Sequence, residues 1–185
     1  MKVERTSLAG VLILQPEVFG DARGFFLESW NQRAFARATG VDVNFVQDNH
    51  SHSDKGVLRG LHYQVRQPQG KLVRVVRGTI FDVVVDIRRN SPTFGRWIGA
   101  MLSADDQRQL WMPTGLAHGF LVLADATDVL YKTTNYYAPE HARCIAWNDA
   151  DLAIDWPLAA HDIAAPLLSA ADRAAPRLSE AELPD

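Results

Sequence analysis

The chain has 185 residues, 47% of them hydrophobic, with a formal net charge of −3 at neutral pH and a single cysteine, Cys144. That length suits one domain with a sizeable core, and the acidic balance argues against nucleic-acid or polybasic membrane binding. One cysteine excludes an internal disulfide framework and suits a reducing compartment. No apolar run approaches the ~18 residues of a membrane span, and the first residues lack a signal-peptide core. The expectation is a cytoplasmic protein, one domain over residues 1–185.

Residues 11–14, Val-Leu-Ile-Leu, read as a short strand stopped by Pro16. Residues 18–30 set Phe19, Phe25, Phe26 and Trp30 among Asp21, Arg23 and Glu28, with Gly20 and Gly24 as turn points. A Phe-rich loop anchors to a core or offers a stacking surface for a flat ligand, with Arg23 beside it for an anion. Residues 31–38 predict the one convincing helix, N-capped by Asn31 and stopped by Gly40. Residues 45–50, Phe-Val-Gln-Asp-Asn-His, then lead by a polar loop to residues 57–64, Val-Leu-Arg-Gly-Leu-His-Tyr-Gln.

This stretch is strand-like, yet Arg59, His62 and the nearby Lys71 punctuate it. Strict alternation sends Arg59 and His62 to opposite faces. Gly60 lies between them, and a strand glycine often marks a bulge that re-aims a side chain. The three polar groups are therefore expected to converge on one cavity. The plainer alternative is two exposed cations and a hydrogen-bonded core histidine.

From Lys71 to Lys132 the pattern is β throughout. Lys71 shares a face with Val73 and Val75, and Phe81, Val83, Val85 and Ile87 read as an inward row with Asp82 and Asp86 outward. Segments 97–102, 109–112, 120–123, 129–133 and 144–147 add short strands. His118 falls on the row of Phe120 and Val122, and Tyr131 on that of Val129 and Thr133. Many short strands with little helix predict a sandwich or barrel. The Ala- and Pro-rich tail from Ile163 is expected to wrap the surface, with a short helical turn at 169–173.

Pro113-x-Gly115-x-x-His118-x-Phe120 resembles the second motif of the cupin superfamily, which implies an all-β, jelly-roll double-stranded β-helix. Many cupins bind a metal through a His-x-His pair, a later Glu and that second-motif His. Here His62 has no second histidine two positions away, and His50-Ser51-His52 sits in the polar loop with no following inward carboxylate. Imidazoles without an anionic partner make a poor metal site. The pocket is therefore read as metal-free and cofactor-free.

More specific motifs follow. Phe19-Gly20-Asp21-x-Arg23-Gly24-Phe25-Phe26-x-Glu28, residues 45–51 (Phe-Val-Gln-Asp-Asn-His-Ser), residues 58–64, Gly70-Lys71-Leu72-Val73-Arg74, Ser91-Pro92-Thr93-Phe94-Gly95, His118-Gly119-Phe120 and Tyr136-Tyr137-x-Pro139 together resemble the dTDP-4-dehydrorhamnose 3,5-epimerase family. The resemblance implies a dTDP-linked 4-keto-6-deoxyhexose as substrate, inverted at C3 and C5 beside the C4 ketone. Such chemistry needs a base on one face, charge stabilisation at the ketone oxygen and an acid on the other face. By resemblance His62 is the base, Asp172 orients it, Lys71 supports the oxyanion, His118 contacts substrate and Tyr131 is the acid. Arg23 and Arg59 would hold the diphosphate. Glu28, Gln47, Asp48 and Asn49 would serve the nucleotide end, and Phe19, Phe26 and Tyr137 would pack around base or sugar. The resemblance also implies a homodimer with Arg23 and Phe26 near the partner.

Two positions depart from the family pattern: Ala142 stands where Glu is frequent and Ala171 where Lys is frequent. Losing both removes opposite charges together and leaves no unpaired one. The readings weighed against the double epimerase are a C3-only epimerase or ketoisomerase, a metal-dependent cupin such as a dioxygenase, and a non-catalytic sugar-nucleotide binding module.

Overall fold

The computed structural model describes residues 1–184. Its strands are β1 (Lys2–Arg5), β2 (Leu12–Gln15), β3 (Val18–Asp21), β4 (Gly24–Leu27), β5 (Gln47–Ser53), β6 (Leu58–Gln64), β7 (Lys71–Arg77), β8 (Thr79–Asp86), β9 (Trp97–Ser103), β10 (Gln109–Met112), β11 (Leu116–Val122), β12 (Thr127–Thr133) and β13 (Ala142–Cys144). Helix α1 (Gln32–Thr39) precedes β5, and the short α2 (Ala170–Arg173) lies in the tail. Six strands form a sheet in the order β1-β2-β10-β7-β12-β5, and five form a second in the order β13-β6-β11-β8-β9. The two face each other as the expected all-β jelly roll. β3 and β4 pair only with each other, as a hairpin outside both sheets.

Three apolar layers follow from this stacking. Between the sheets, Val73, Val75, Leu110 and Val129 meet Ile80, Val84, Leu102, Phe120 and Val122. Behind the five-stranded sheet, Leu58, Leu61, Val83, Val85 and Leu121 pack on Ile145, Leu152, Trp156, Ile163 and Leu178 of the C-terminal wrap. Behind the six-stranded sheet, Leu14, Leu72 and Trp111 are covered by Phe35 of α1, with Trp30 and Phe45 in edge-on or tilted ring contacts. The predicted helix forms with its predicted caps. Asn31 Oδ1 accepts from the Ala34 amide at 3.0 Å, and Gly40 adopts the left-handed φ of +74° that lets its N–H close on Ala36.

Two expectations are corrected. His50, Ser51 and His52 lie not in a loop but in β5, the edge strand, which pairs with β12 along its length. Its polarity has two causes: one face turns to the cavity and the other to solvent, so no apolar row marks it. On β8, Asp82 and Asp86 are completely buried. The row Phe81, Val83, Val85 and Ile87 faces the C-terminal wrap, and it is Asp82 that points between the sheets. Both faces of this strand are covered, and alternation alone cannot say which of two buried rows faces which layer.

Candidate active site

The site begins with a bulge. In the pairing of β6 with β11, His62 lies opposite His118 while Arg59 lies opposite Phe120, so three steps on one strand match two on the other. The extra residue restores Arg59 and His62 to one face, as expected from Gly60. Glycine is required here. Gly60 has φ +118°, and a Cβ on it would lie 2.6 Å from the His118 carbonyl oxygen and from Gly119 Cα. Gly119 is bound by the same crossing, since its Cβ would lie 2.7 Å from the Arg59 carbonyl oxygen. Leu58, Leu61 and Tyr63 go to the outer core, and His62 turns to a cavity between the sheets.

That cavity holds about 320 Å³ and takes in Gln47, Asn49, His62, Lys71, Tyr131 and Tyr137. His62 and Tyr131 come from opposing sheets, by way of β6 and β12. His62 Nε2 donates to Asp172 Oδ1 at 2.6 Å. Asp172, only 4% exposed, arrives from α2 in the C-terminal wrap, 110 residues further along the chain. Burial pushes its carboxyl up, but the bonds from His62 and Ser169 outweigh that and hold it at about 2. It is thus a carboxylate, and it fixes the proton of His62 on Nε2. Nδ1 is left with a lone pair.

Lys71, in the cavity lining, belongs to a buried charged cluster with Asp82 and His118. His118 Nε2 lies 3.0 and 3.1 Å from the two oxygens of Asp82. Lys71 is 8% exposed; burial pulls its ammonium down to about 8, opposed by the charge of Asp82. Burial likewise lowers His118, and Asp82 opposes that. Tyr131 is raised, first by burial, against the charge of Arg59, so the phenol keeps its proton. Gln47 and Gln64 tie the loop of Tyr136 and Tyr137 over the mouth. Gln47 Oε1 accepts from the Tyr137 amide at 3.0 Å and Gln64 Oε1 from the Ala138 amide at 2.9 Å. Arg59 is anchored by Ser53 Oγ, to which its Nε and Nη2 donate at 3.1 and 2.9 Å.

The other predicted residues lie elsewhere in the chain. Phe19, Arg23 and Phe26 are on the β3–β4 hairpin, exposed, with Arg23 paired to Asp21. Glu28 accepts from Asn31 Nδ2 at 3.1 Å. Asp48 is corrected. Alternation on β5 turns it away from Gln47 and Asn49, and it accepts from Lys132 Nζ at 2.8 Å on the outer face. Four residues were missed: Asp82, Ser169, Cys144 and Arg143, the last two on β13. For Asp82 a signal existed. The row Ile80-Asp82-Val84-Asp86 is the one that could serve a polar site. Arg143 stands at the cavity rim beside Ala142 and donates to Glu182 at 2.7 and 2.8 Å. Ala171 is exposed on α2.

His62, Cys144 and Asp172 bring three ligand-type atoms together, but they do not fit a metal. His62 Nε2 turns its proton, not a lone pair, to the shared position, and Asp172 Oδ1 is already taken up by His62 at 2.6 Å and by the Cys144 thiol at 3.4 Å.

A family model described as dTDP-4-dehydrorhamnose 3,5-epimerase matches residues 5–180. The chain belongs to that family. A dTDP-4-dehydrorhamnose 3,5-epimerase from Pseudomonas aeruginosa is 59% identical over 182 residues, covering 98% of each chain. A crystal structure of a dTDP-6-deoxy-D-glucose-3,5-epimerase from Legionella pneumophila in complex with dTDP-4-keto-L-rhamnose superposes with a TM-score of 0.94 at 48% identity, covering 99% of this chain and 97% of that one. A 3'-monoepimerase from Streptomyces bikiniensis in complex with dTDP-quinovose matches with a TM-score of 0.89 at 37% identity, over 97% and 91% of the two chains. Proteins similar to this chain on the same fold are thus named both as 3,5-epimerases and as a 3'-monoepimerase.

Proposed function

We propose that this protein is a 3,5-epimerase of dTDP-4-dehydro-6-deoxy-D-glucose, an isomerase of dTDP-L-rhamnose biosynthesis that works without cofactor or metal. The observation that carries the chemistry is a base and an acid on opposing sheets around one cavity, with a buried cation between their reach. His62 Nδ1 takes the proton at a carbon next to the C4 ketone. Negative charge then develops on the ketone oxygen, where Lys71, backed by Asp82 and His118, stabilises it in a water-poor site. Tyr131 returns a proton from the other side, which inverts the centre. Each such transfer contributes roughly 10²–10⁴-fold when the group is well placed.

Nucleotide binding is assigned to Gln47, Asn49, Arg59 and Tyr137 of one protomer and to Phe19, Arg23, Phe26 and Glu28 of its partner. The hairpin motivates the homodimer. Phe19, Phe25 and Phe26 are 56, 63 and 67% exposed on a two-stranded ribbon that pairs with neither sheet, and such a ribbon is marginal alone. We read residues 1–185 as one domain because the tail both covers the outer core and supplies Asp172. A cytoplasmic location accords with the lone cysteine and a nucleotide-sugar substrate; among the described residues no helix is long and apolar enough to cross a membrane.

The two-centre reading is favoured over the C3-only one by the 59% identical relative and its name. Proton NMR of dTDP-4-dehydro-6-deoxy-D-glucose with the protein in D₂O tests it. Deuterium is expected at both C3 and C5 with L-configured product; exchange at C3 alone would make the protein a mono-epimerase.

A further inference from the structure

We infer that Ser169 and Cys144 are positioning residues of the His62–Asp172 dyad, clamping the carboxylate so that His62 keeps one tautomer and one orientation during turnover. The inference rests on the epimerase reading above, with His62 as its base. Three side chains from three separate parts of the chain converge on the two oxygens of Asp172. Oδ1 accepts from His62 Nε2 at 2.6 Å and from Cys144 Sγ at 3.4 Å. Oδ2 accepts from Ser169 Oγ at 2.7 Å. Ser169 is directed in turn, because its oxygen accepts from the Asp172 amide at 3.1 Å as the N-cap of α2. With that amide on its lone pair, the hydroxyl proton is left free to point at the carboxylate. Cys144 reaches it from β13, which pairs with β6 so that Cys144 lies opposite His62.

The chemistry of the two donors differs in a useful way. A serine hydroxyl on a carboxylate is a strong, charge-assisted bond, whereas a thiol is a weak donor. The thiol is pushed up to about 12 by burial and by Asp172 itself, so it stays protonated and can only donate. A thiolate in that place would repel the carboxylate. Each donor lowers the electron density that Asp172 offers to the imidazole. Taking one away makes the carboxylate a stronger acceptor, which favours imidazolium and raises the pH at which His62 becomes a free base.

The other ionisable groups around the pair are unaltered by such a change. His118 feels the charge of His62 from the neighbouring strand, and Asp82 acts on both His118 and Lys71. Tyr131 faces His62 from β12, and Tyr63, Arg143 and Glu182 lie beyond the thiol. A shift seen in variants of Ser169 or Cys144 is therefore attributable to the carboxylate.

Two readouts test the clamp on the full-length protein. One is the NMR titration of the His62 imidazole without substrate, and the other is the pH profile of kcat/KM. Ser169→Ala is expected to move the His62 midpoint and the acidic limb together to higher pH and to lower kcat/KM near neutrality roughly ten-fold, the loss of one charge-assisted bond. Cys144→Ala should shift both in the same direction with about a two-fold loss, as befits a weak donor. Ser169→Thr keeps its donor and should overlay the wild type, and Cys144→Ser, which keeps a donor, should leave both readouts at or slightly below the wild-type pH, which separates the clamp from mere packing or a lost cap. Midpoint and limb both unmoved in the two alanine variants, with only thermal stability lowered, would overturn the inference. A moved midpoint with an unmoved kinetic limb would uphold the clamp and overturn His62 as the base.

Discussion

The cavity and the β3–β4 hairpin were both marked by polar residues among aromatics, yet they differ in what one chain can complete. Around the cavity every side chain has a reason to be where it is: a bulge aims His62, a distant carboxylate holds it, and buried charge faces the opening. The hairpin has the composition of a binding surface and nothing in its own chain to bind. Phe26 is 67% exposed, while His118 is 6% exposed. An apolar ribbon that ignores its own sheets is a surface built for another molecule, and the proposed partner is a second copy.

The largest expected effect bears on the cavity alone. His62→Ala should abolish deuterium exchange at both C3 and C5, with kcat falling at least 10³-fold, within the range for a well-placed general base. Wild-type exchange would remove His62 from its role. Tyr131→Phe is more selective, because it keeps the packing and deletes only the hydroxyl. It should fold, bind dTDP and still exchange a substrate proton, but form little inverted product; unchanged epimerisation would make Tyr131 a core residue.

The hairpin enters through complementation. An Arg23→Ala, Phe26→Ala double variant should raise KM at least ten-fold, as expected when a bidentate anion contact is lost. Co-expressed with the inactive His62→Ala chain, it should regain activity, because a mixed dimer then holds one intact site. Lack of recovery, or a monomer by light scattering, would assign the hairpin to its own chain.

Lys71 gives a smaller effect with two signs. Its ammonium must be charged to face an oxyanion, and its folded value of about 8 lies below the ordinary lysine value. Activity should therefore fall as pH rises through about 8. Stability runs the other way. Between pH 8 and 10.5 the unfolded chain binds a proton there that the folded chain has lost, so stability gains as pH rises across that window. Below pH 8 the buried charge costs on the order of 3 kcal/mol. Lys71→Met should raise the melting temperature while removing most activity. A lower melting temperature would place the lysine in a structural pair. The smallest expected effect is none: activity should survive exhaustive dialysis against EDTA, and loss restored by a single added metal would revive the metal-cupin reading.

Much of this was readable beforehand, for physical reasons. The bulge at Gly60 announced itself because only a register shift could bring Arg59 and His62 together. Helix α1 carried both caps, Asn31 and Gly40. Motif resemblance pointed to His62 and Asp172 as a pair although the chain separates them widely. What stayed hidden had no local mark. Strand β5 has no apolar row because neither face is core. Asp82 was assigned outward because β8 is buried on both faces, and sequence period reports burial without naming the layer. Asp48 was carried along with its neighbours, although strand geometry sends it the other way, to Lys132. Cys144 and Ser169 are too ordinary in type to be noticed until the carboxylate between them is seen.

The route by which Asp172 reaches His62 sets an order in time. A ribosome releases His62, Lys71 and Tyr131 well before the carboxylate that holds His62, and α2 follows the segment that seals the outer core through Ile145, Leu152, Trp156 and Ile163. Until α2 arrives, His62 lacks its carboxylate. Competence arrives only when the last stretch docks, so turnover marks a molecule whose C-terminal wrap is in place, and a nick in that wrap would silence it even where both sheets survived.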